Sequence, residues 1–278
     1  MQTLAERAAY LAVRLPATYA AVRSTLLETA LRIREFQPIS LLDLGSGPGT
    51  ALWAAAEIFP SLRDCWAIER DAGLARIGKA LAEQHEMIRN ASWVINDIRT
   101  WRTDKKFDLV IASYSLGELE KADRRTFLNQ AWESCQGVLV LVEPGTQKGF
   151  GVIAEARDQL IALEAKLAAP CPHSLECPMR ASGDWCHFSE RVQRTSEHRR
   201  LKQAELGYED EKFSYMVTSH LPVEQASARV VRHPLRHSGH TKLQLCTPEG
   251  LRQRTVTRSE GELYRRVKRV EWGSGWEE

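Results

Sequence analysis

Two groups of residues have the types and spacing to do chemistry. The first is Leu41-Leu42-Asp43-Leu44-Gly45-Ser46-Gly47-Pro48-Gly49-Thr50, where an apolar run carries an acid into three glycines at alternate positions. Glycine lets a backbone turn sharply and approach a ligand with no Cβ in the way. The carboxyl end of a first strand is where open α/β sheets bind nucleotides. Three details favour S-adenosylmethionine over a dinucleotide. Asp43 stands where a carboxylate reaches the ligand's ammonium group. Gly45, Gly47 and Gly49 do not follow the G-x-G-x-x-G phosphate pattern. Glu69 and Asp97 close the next two apolar runs, placed for the ribose hydroxyls and the adenine amino group.

The second group is Cys171, Cys177 and Cys186, spaced C-x5-C-x8-C, with Cys246 a further 60 positions on. In a reducing compartment, clustered cysteines read as metal ligands before disulfides. The gaps are wider than those of paired zinc knuckles, and Cys-Pro occurs at two of the three positions, as it does beside iron–sulfur clusters. Four thiolates suit a 4Fe–4S cluster or a zinc ion. His173 and His187 are alternative ligands or hydrogen-bond partners of ligands, and Trp185 and Phe188 are candidate shields against water. Cys65 and Cys135 stand alone in apolar stretches and read as buried structural thiols.

The elements that must position these residues follow from periodicity. Short, continuous apolar runs at Ser40–Leu44, Cys65–Ile68, Trp93–Ile95, Phe107–Ala112 and Val138–Val142 alternate with helical patterns at Thr50–Ile58, Leu74–Gln84 and Asp123–Ser134. That alternation predicts a doubly wound α/β sheet with helices on both faces. Residues 1–36 are helical in pattern with a break at Pro16, and further helices are expected at Phe150–Leu167 and Glu190–Leu206. Strands near Phe213–Thr218, Ala228–Arg232, Thr241–Cys246 and Leu251–Thr257 form a small, mostly antiparallel region. The expected organisation is a helical lead-in (1–37), a cofactor-binding core (38–168) and a metal loop with a basic β region (169–278).

The chain's net charge of +2 hides an asymmetry. Residues 229–269 carry eleven Lys/Arg against three Glu, +8, which leaves −6 to the remainder. A basic end suggests a polyanionic partner, against the blander reading of a solvated β surface. No run of 18 apolar residues is present, so no membrane partner is expected. The N-terminus resembles neither a secretory signal nor a transit peptide, which points to a reducing cytoplasm. After the fourth strand, Ser113-Tyr114-Ser115-Leu116-Gly117-Glu118-Leu119 lacks the Asn/Asp-Pro-Pro-aromatic turn that grips an amino acceptor, and no Pro-Cys nucleophile stands at a strand end. Glu118 reads as a helix cap ahead of a general base, and no catalytic residue is assigned.

Taken together, Arg14-Leu15-Pro16-Ala17-Thr18-Tyr19, the loop Asp43–Gly49, Val142-Glu143-Pro144-Gly145-Thr146, the three cysteine segments, Glu209–Tyr215 and Cys246 span nearly the whole chain. In that combination the sequence resembles the methyltransferase-like assembly factors of the mitochondrial ribosomal small subunit and their bacterial relatives. The resemblance implies a class I methyltransferase fold, S-adenosylmethionine at Asp43, Gly45, Gly47, Gly49, Glu69 and Asp97, and a 4Fe–4S cluster on Cys171, Cys177, Cys186 and Cys246. It also implies action on small-subunit ribosomal RNA, and a monomer is expected. With no transit peptide in view, a bacterial, cytoplasmic member is expected. Methyl transfer to RNA and non-catalytic assembly share that partner and differ in chemistry.

Overall fold

The parity of the apolar runs decides the architecture. In a computed structural model, which describes residues 3–194, 196, 199–200 and 205–278, Leu41, Leu109, Ile111, Val138, Val140 and Val142 face one helical layer. Leu42, Leu44, Val110, Ala112, Leu139 and Leu141 face another. A run apolar at every position can bury both faces of a strand, and helices cover both sides here.

The strands of this first sheet are β1 (Ser40–Leu44), β2 (Asp64–Glu69), β3 (Ser92–Ile95), β4 (Phe107–Ser113), β5 (Cys135–Pro144), β6 (Lys166–Ala169), β7 (Phe188–Gln193) and β8 (Tyr208–Ser219). The order is β3-β2-β1-β4-β5-β8-β6, with β7 also on β8. The first five strands are parallel, and β8 runs antiparallel to β5 from Phe213 opposite Pro144 to Ser219 opposite Val138. A parallel sheet in this order, closed by an antiparallel strand, is the Rossmann-like α/β fold of class I methyltransferases. The connecting helices are α2 (Thr50–Ile58), α3 (Ala72–Ala82), α4 (Lys121–Ser134) and α5 (Gln147–Ala162).

The N-terminal segment is one helix, α1 (Leu4–Arg32), not two. Thr3 and Glu6 form a capping box at its start. Pro16 lies inside it, where its missing N–H costs a backbone bond. Packing overrides that cost: Ala17, Ala21, Val22, Leu26 and Ile33 make a buried stripe against α2 and the sheet. The helix also reaches the far end of the chain, through Arg14 to Glu211, Ser24 to Glu190 and Glu28 to Arg229.

A short helix α6 (Pro178–Ala181) lies in the cysteine segment. The second sheet comprises β9 (Ala228–Val230), β10 (Leu235–Arg236), β11 (His240–Thr247), β12 (Gly250–Thr257) and β13 (Gly275–Trp276), with α7 (Glu262–Val267) packed on it. Its core is Val230, Leu243, Leu245, Val256, Tyr264, Val267 and Trp276.

Three expectations change. The helix foreseen at Phe150–Leu167 stops at Ala162, where Glu164 turns left-handed (φ 60°), and Lys166–Ala169 becomes β6. The start of the helix foreseen at Glu190–Leu206 is instead strand β7, whose Phe188 and Val192 are buried at alternate spacing against β8. Residues 195, 197–198 and 201–204 of that stretch lie outside the described residues. The strand near Phe213–Thr218 belongs to the first sheet, and the boundary drawn at 168/169 falls inside β6.

Candidate functional site: a nucleotide cleft and a four-cysteine cavity

A cleft of about 420 Å³ opens over the carboxyl ends of β1, β2, β3 and β4. Ligand sites for small molecules commonly fall in the range of about 300–1,000 Å³. Gly45, Gly47, Glu69 and Asp97 line it, while Asp43 and Gly49 are not among its lining residues. Gly45, Gly47 and Gly49 all have positive φ (77°, 54° and 80°), the region that favours glycine. The structural reason differs from close approach to a ligand. A Cβ on Gly45 would sit 2.6 Å from the Ser115 Cβ, and one on Gly49 2.8 Å from the Trp93 ring. Only at Gly47 is there room above the backbone, with the Tyr10 hydroxyl 3.7 Å away.

Glu69 ties the floor together: one carboxylate oxygen accepts from Gly47 N–H (2.8 Å) and the other from Asp71 N–H (2.7 Å). Asp43 is fully buried and neither carboxylate oxygen has a hydrogen-bond partner. Burial, and then the nearby Glu69, push its carboxyl up to about 8. An orphaned buried carboxylate under a cleft is a group waiting for a cation or donor. Asp97 has a partner that the sequence did not announce. Arg99 donates through Nε (3.0 Å) and Nη2 (2.6 Å), and this bonding holds Asp97 down at about 2.

The rim was missed from sequence. Tyr10 and Thr18 of α1 line the cleft. Arg7 and Arg14 flank Tyr10 at i−3 and i+4, which puts the three on one helix face. Arg7 donates to Asp71 (3.0 Å), and Arg14 to Glu211 (3.1 Å). Tyr114, just past β4 with φ 55°, donates its hydroxyl to Glu211 (2.9 Å) and lies under the Arg14 guanidinium. The helical spacing was the available signal; its partners 60 to 200 positions away were not. Glu118 does not cap α4. It sits in a 3-10 turn on the cleft rim, 3.4 Å from Arg70.

The four cysteines meet. Cys171, Cys177, Cys186 and Cys246 line one cavity of about 40 Å³, walled by Phe150, Ile153, Met179, Phe188, Tyr215 and Val231. Cys246 comes from β11, paired across the sheet with Arg229 of β9. Burial pushes the Cys246 thiol up to about 12 and raises that of Cys186 well above the usual thiol range, each raised further by the neighbouring cysteines. A single zinc ion draws its thiolates to about 2.3 Å. Among the described residues no three His, Cys, Asp or Glu side chains form a group that could hold a metal ion. The thiols instead stand around a space. Arg157 and Arg229 also line it, and no carboxylate does. The donor set at the cavity is four thiols with two buried guanidiniums beside them.

His173 is buried with Nε2 3.8 Å from the Cys246 sulfur, whereas His187 packs between Trp185 and Trp272. Phe188 walls the cavity, but Trp185 donates its indole N–H to Gly145 O (2.8 Å) outside it. Cys65 and Cys135 are buried in β2 and β5, as expected of structural thiols.

The basic segment is less free than its count suggests. Arg229 is buried, and Arg232, Arg236, Arg252 and Arg254 pair with Asp184, Glu271, Glu249 and Glu260. Glu271, Glu277 and Glu278 lie just past residue 269 and bring the 229–278 balance to +5. Lys242, Arg258, Arg265, Arg266, Lys268 and Arg269 are exposed. Among the described residues no helix is long and apolar enough to cross a membrane.

The family described as mitochondrial small ribosomal subunit Rsm22 matches residues 4–277. The human mitochondrial ribosome assembly protein METTL17 is 31% identical over 95% of this chain and 61% of its own length. Two mitochondrial Rsm22-cox11 tandem proteins of Schizosaccharomyces pombe are each 26% identical over 95% of this chain and 42% of their own. The chain thus spans 42–61% of the length of these curated relatives. Among solved structures, magnesium protoporphyrin IX methyltransferase from Synechocystis with bound SAM is 9% identical, with a TM-score of 0.47 over 74% of this chain and 79% of that one.

Proposed function

The chain belongs to the mitochondrial small ribosomal subunit Rsm22 family, and from that premise we propose that it is a small-subunit assembly protein that binds S-adenosylmethionine and carries a 4Fe–4S cluster. The observation that carries the cofactor reading is Asp43. A carboxylate with two unpartnered oxygens, buried two residues before the cleft's Gly45 and close to its Glu69, is complementary to a cationic nucleoside. Asp43 supplies charge beneath the cleft, Glu69 acceptors on its wall, and Asp97 with Arg99 the polar edge at β3. When bound, S-adenosylmethionine supplies an activated methyl group.

The four cysteines are the ligands in this reading, and a cluster there supplies metal–thiolate bonds that tie the 171–186 segment to the second sheet. The partner is small-subunit ribosomal RNA, met through the exposed basic residues of 242–269. A bacterial, cytoplasmic setting and a monomeric state belong to the same proposal.

Binding without methyl transfer is the reading the rim favours. Where an acceptor would be gripped after β4, Tyr114 is held by Glu211 and Arg14 from the protein itself. The deciding experiment titrates the protein with S-adenosylmethionine by calorimetry, then supplies labelled cofactor with immature small subunits. Binding with no label in RNA supports assembly without transfer. Label at one nucleotide makes the protein an enzyme, and absence of binding at millimolar cofactor overturns the cofactor reading.

A further inference from the structure

The four-cysteine cavity has two cationic walls. Arg157 comes from α5 and Arg229 from β9, and their side chains are 6% and 1% exposed. Each is only partly used. Arg157 Nη2 donates to His173 O (3.0 Å) and Leu175 O (2.6 Å), while its Nε has no partner. Arg229 donates to Pro170 O (2.7 Å), Glu28 Oε1 (2.6 Å) and Gly273 O (2.8 Å), while its second Nη has none. His173 Nδ1 beside them is also buried and unpartnered.

Three of the four carbonyls these arginines hold belong to residues 170, 173 and 175, which bracket Cys171. Compensation by carboxylates is poor. Glu28 is shared between Arg229 and Arg32, and Arg157 reaches only the half-exposed Asp158 at 3.8 Å. Buried cations with unsatisfied N–H groups are costly unless an anion completes them. The cavity between them holds four thiols and no acid.

We propose that Arg157 and Arg229 are the charge partners of the metal–sulfur centre: they offset the negative charge of four thiolates and their cluster, and hold the Cys171 loop in place to bind it. The inference rests on the reading of the cavity as a cluster site. Hydrogen bonds and charge around cluster sulfurs set reduction potential, so the arginines act on a measurable property of the centre besides its retention.

The test uses the whole chain, purified without oxygen and reconstituted with iron and sulfide. Iron, acid-labile sulfide and the midpoint potential are measured for wild type, Arg157→Met, Arg229→Met, Arg157→Lys and Glu28→Gln, with circular dichroism as the check on folding. The methionine variants are expected to hold several-fold less iron and sulfide, and what remains to titrate at more negative potential. Arg157→Lys recovers most of the loss. Glu28→Gln removes the anion that shares Arg229 while leaving both arginines in the chain, and shifts the potential upward, so the inference stays testable if a methionine variant does not fold. Unchanged iron, sulfide and potential in the folded variants overturn the role of the arginines. A wild-type chain that takes up no iron or sulfide overturns the cluster reading itself.

Discussion

The cleft and the cysteine cavity are opposite solutions to holding a ligand. The cleft is assembled from consecutive strand ends, so Asp43, Glu69 and Asp97 appear in chain order at nearly regular intervals. It is roomy and rimmed by charge, and its one buried acid lacks a partner. The cavity is small, its apolar walls broken by two buried arginines. It is closed only when β11 brings Cys246 and β9 brings Arg229 against a loop some 60 positions upstream. The cavity lies at the seam between the two sheets.

That contrast is broken most forcefully at the seam. On the cluster reading, Cys186→Ser removes iron and sulfide together and lowers the melting temperature of the anaerobic protein by about 10 °C or more. A variant that keeps its melting point would show the cavity to be a mere void in the packing.

Asp43 gives the opposite sign. Burial holds its carboxyl at about 8 in the folded chain, whereas the unfolded chain releases that proton near pH 4. Its contribution to stability is therefore complete below about pH 4 and is lost as pH rises towards 8. Melting temperatures of the ligand-free protein should fall over that window, and Asp43→Asn should flatten the fall. A cationic ligand reverses the trend, because it binds the ionised form: affinity for S-adenosylmethionine should rise about tenfold from pH 6 to pH 7. A wild-type profile as flat as that of Asp43→Asn would remove Asp43 from the site.

Legibility in the sequence follows the same division. The parallel sheet was readable because its central strands β1, β4 and β5 are apolar runs buried on both faces, and the glycine loop because three positive φ angles demand that residue type. Strand β7 was not readable. Phe188-Ser189-Glu190-Arg191-Val192-Gln193 is polar on one face, and its pairing with Tyr208–Phe213 is a tertiary fact. The four cysteines were identifiable by type, but the two arginines beside them were not. Arginine carries no local mark of burial, and Arg229 was counted among the surface charges.

Glycines sharpen the cleft side of the contrast. Gly45→Ala forces a Cβ to 2.6 Å from the Ser115 Cβ at a left-handed φ, and should cost about 2–4 kcal/mol of stability. Gly47→Ala meets nothing nearer than 3.7 Å, so only the backbone strain of about 1 kcal/mol remains. Its effect should fall on ligand affinity instead. Paired denaturation and calorimetry separate the two, and equal destabilisation by both would mean that the loop rearranges.

The smallest effect expected is on the basic surface proposed to meet RNA, and there the arrangement of charge matters more than its amount. Arg254 is held by Glu260 and Glu278 and Arg252 lies beside Glu249, so these arginines of β12 are already neutralised within the protein. Arg265, Arg266 and Arg269 of the α7 region line a hollow of about 490 Å³ with Trp276, and none of the three pairs with a carboxylate among the described residues. Each phosphate contact contributes a slope of about 0.7 to 0.9 to the dependence of binding on salt. Arg265→Gln with Arg269→Gln should therefore flatten that dependence by between one and two counterions and weaken RNA binding several-fold. Arg252→Gln with Arg254→Gln should change it by less. If the β12 pair proves the more damaging, the ion pairs seen there open to meet the RNA, and the partner sits on the sheet edge and not on the helix.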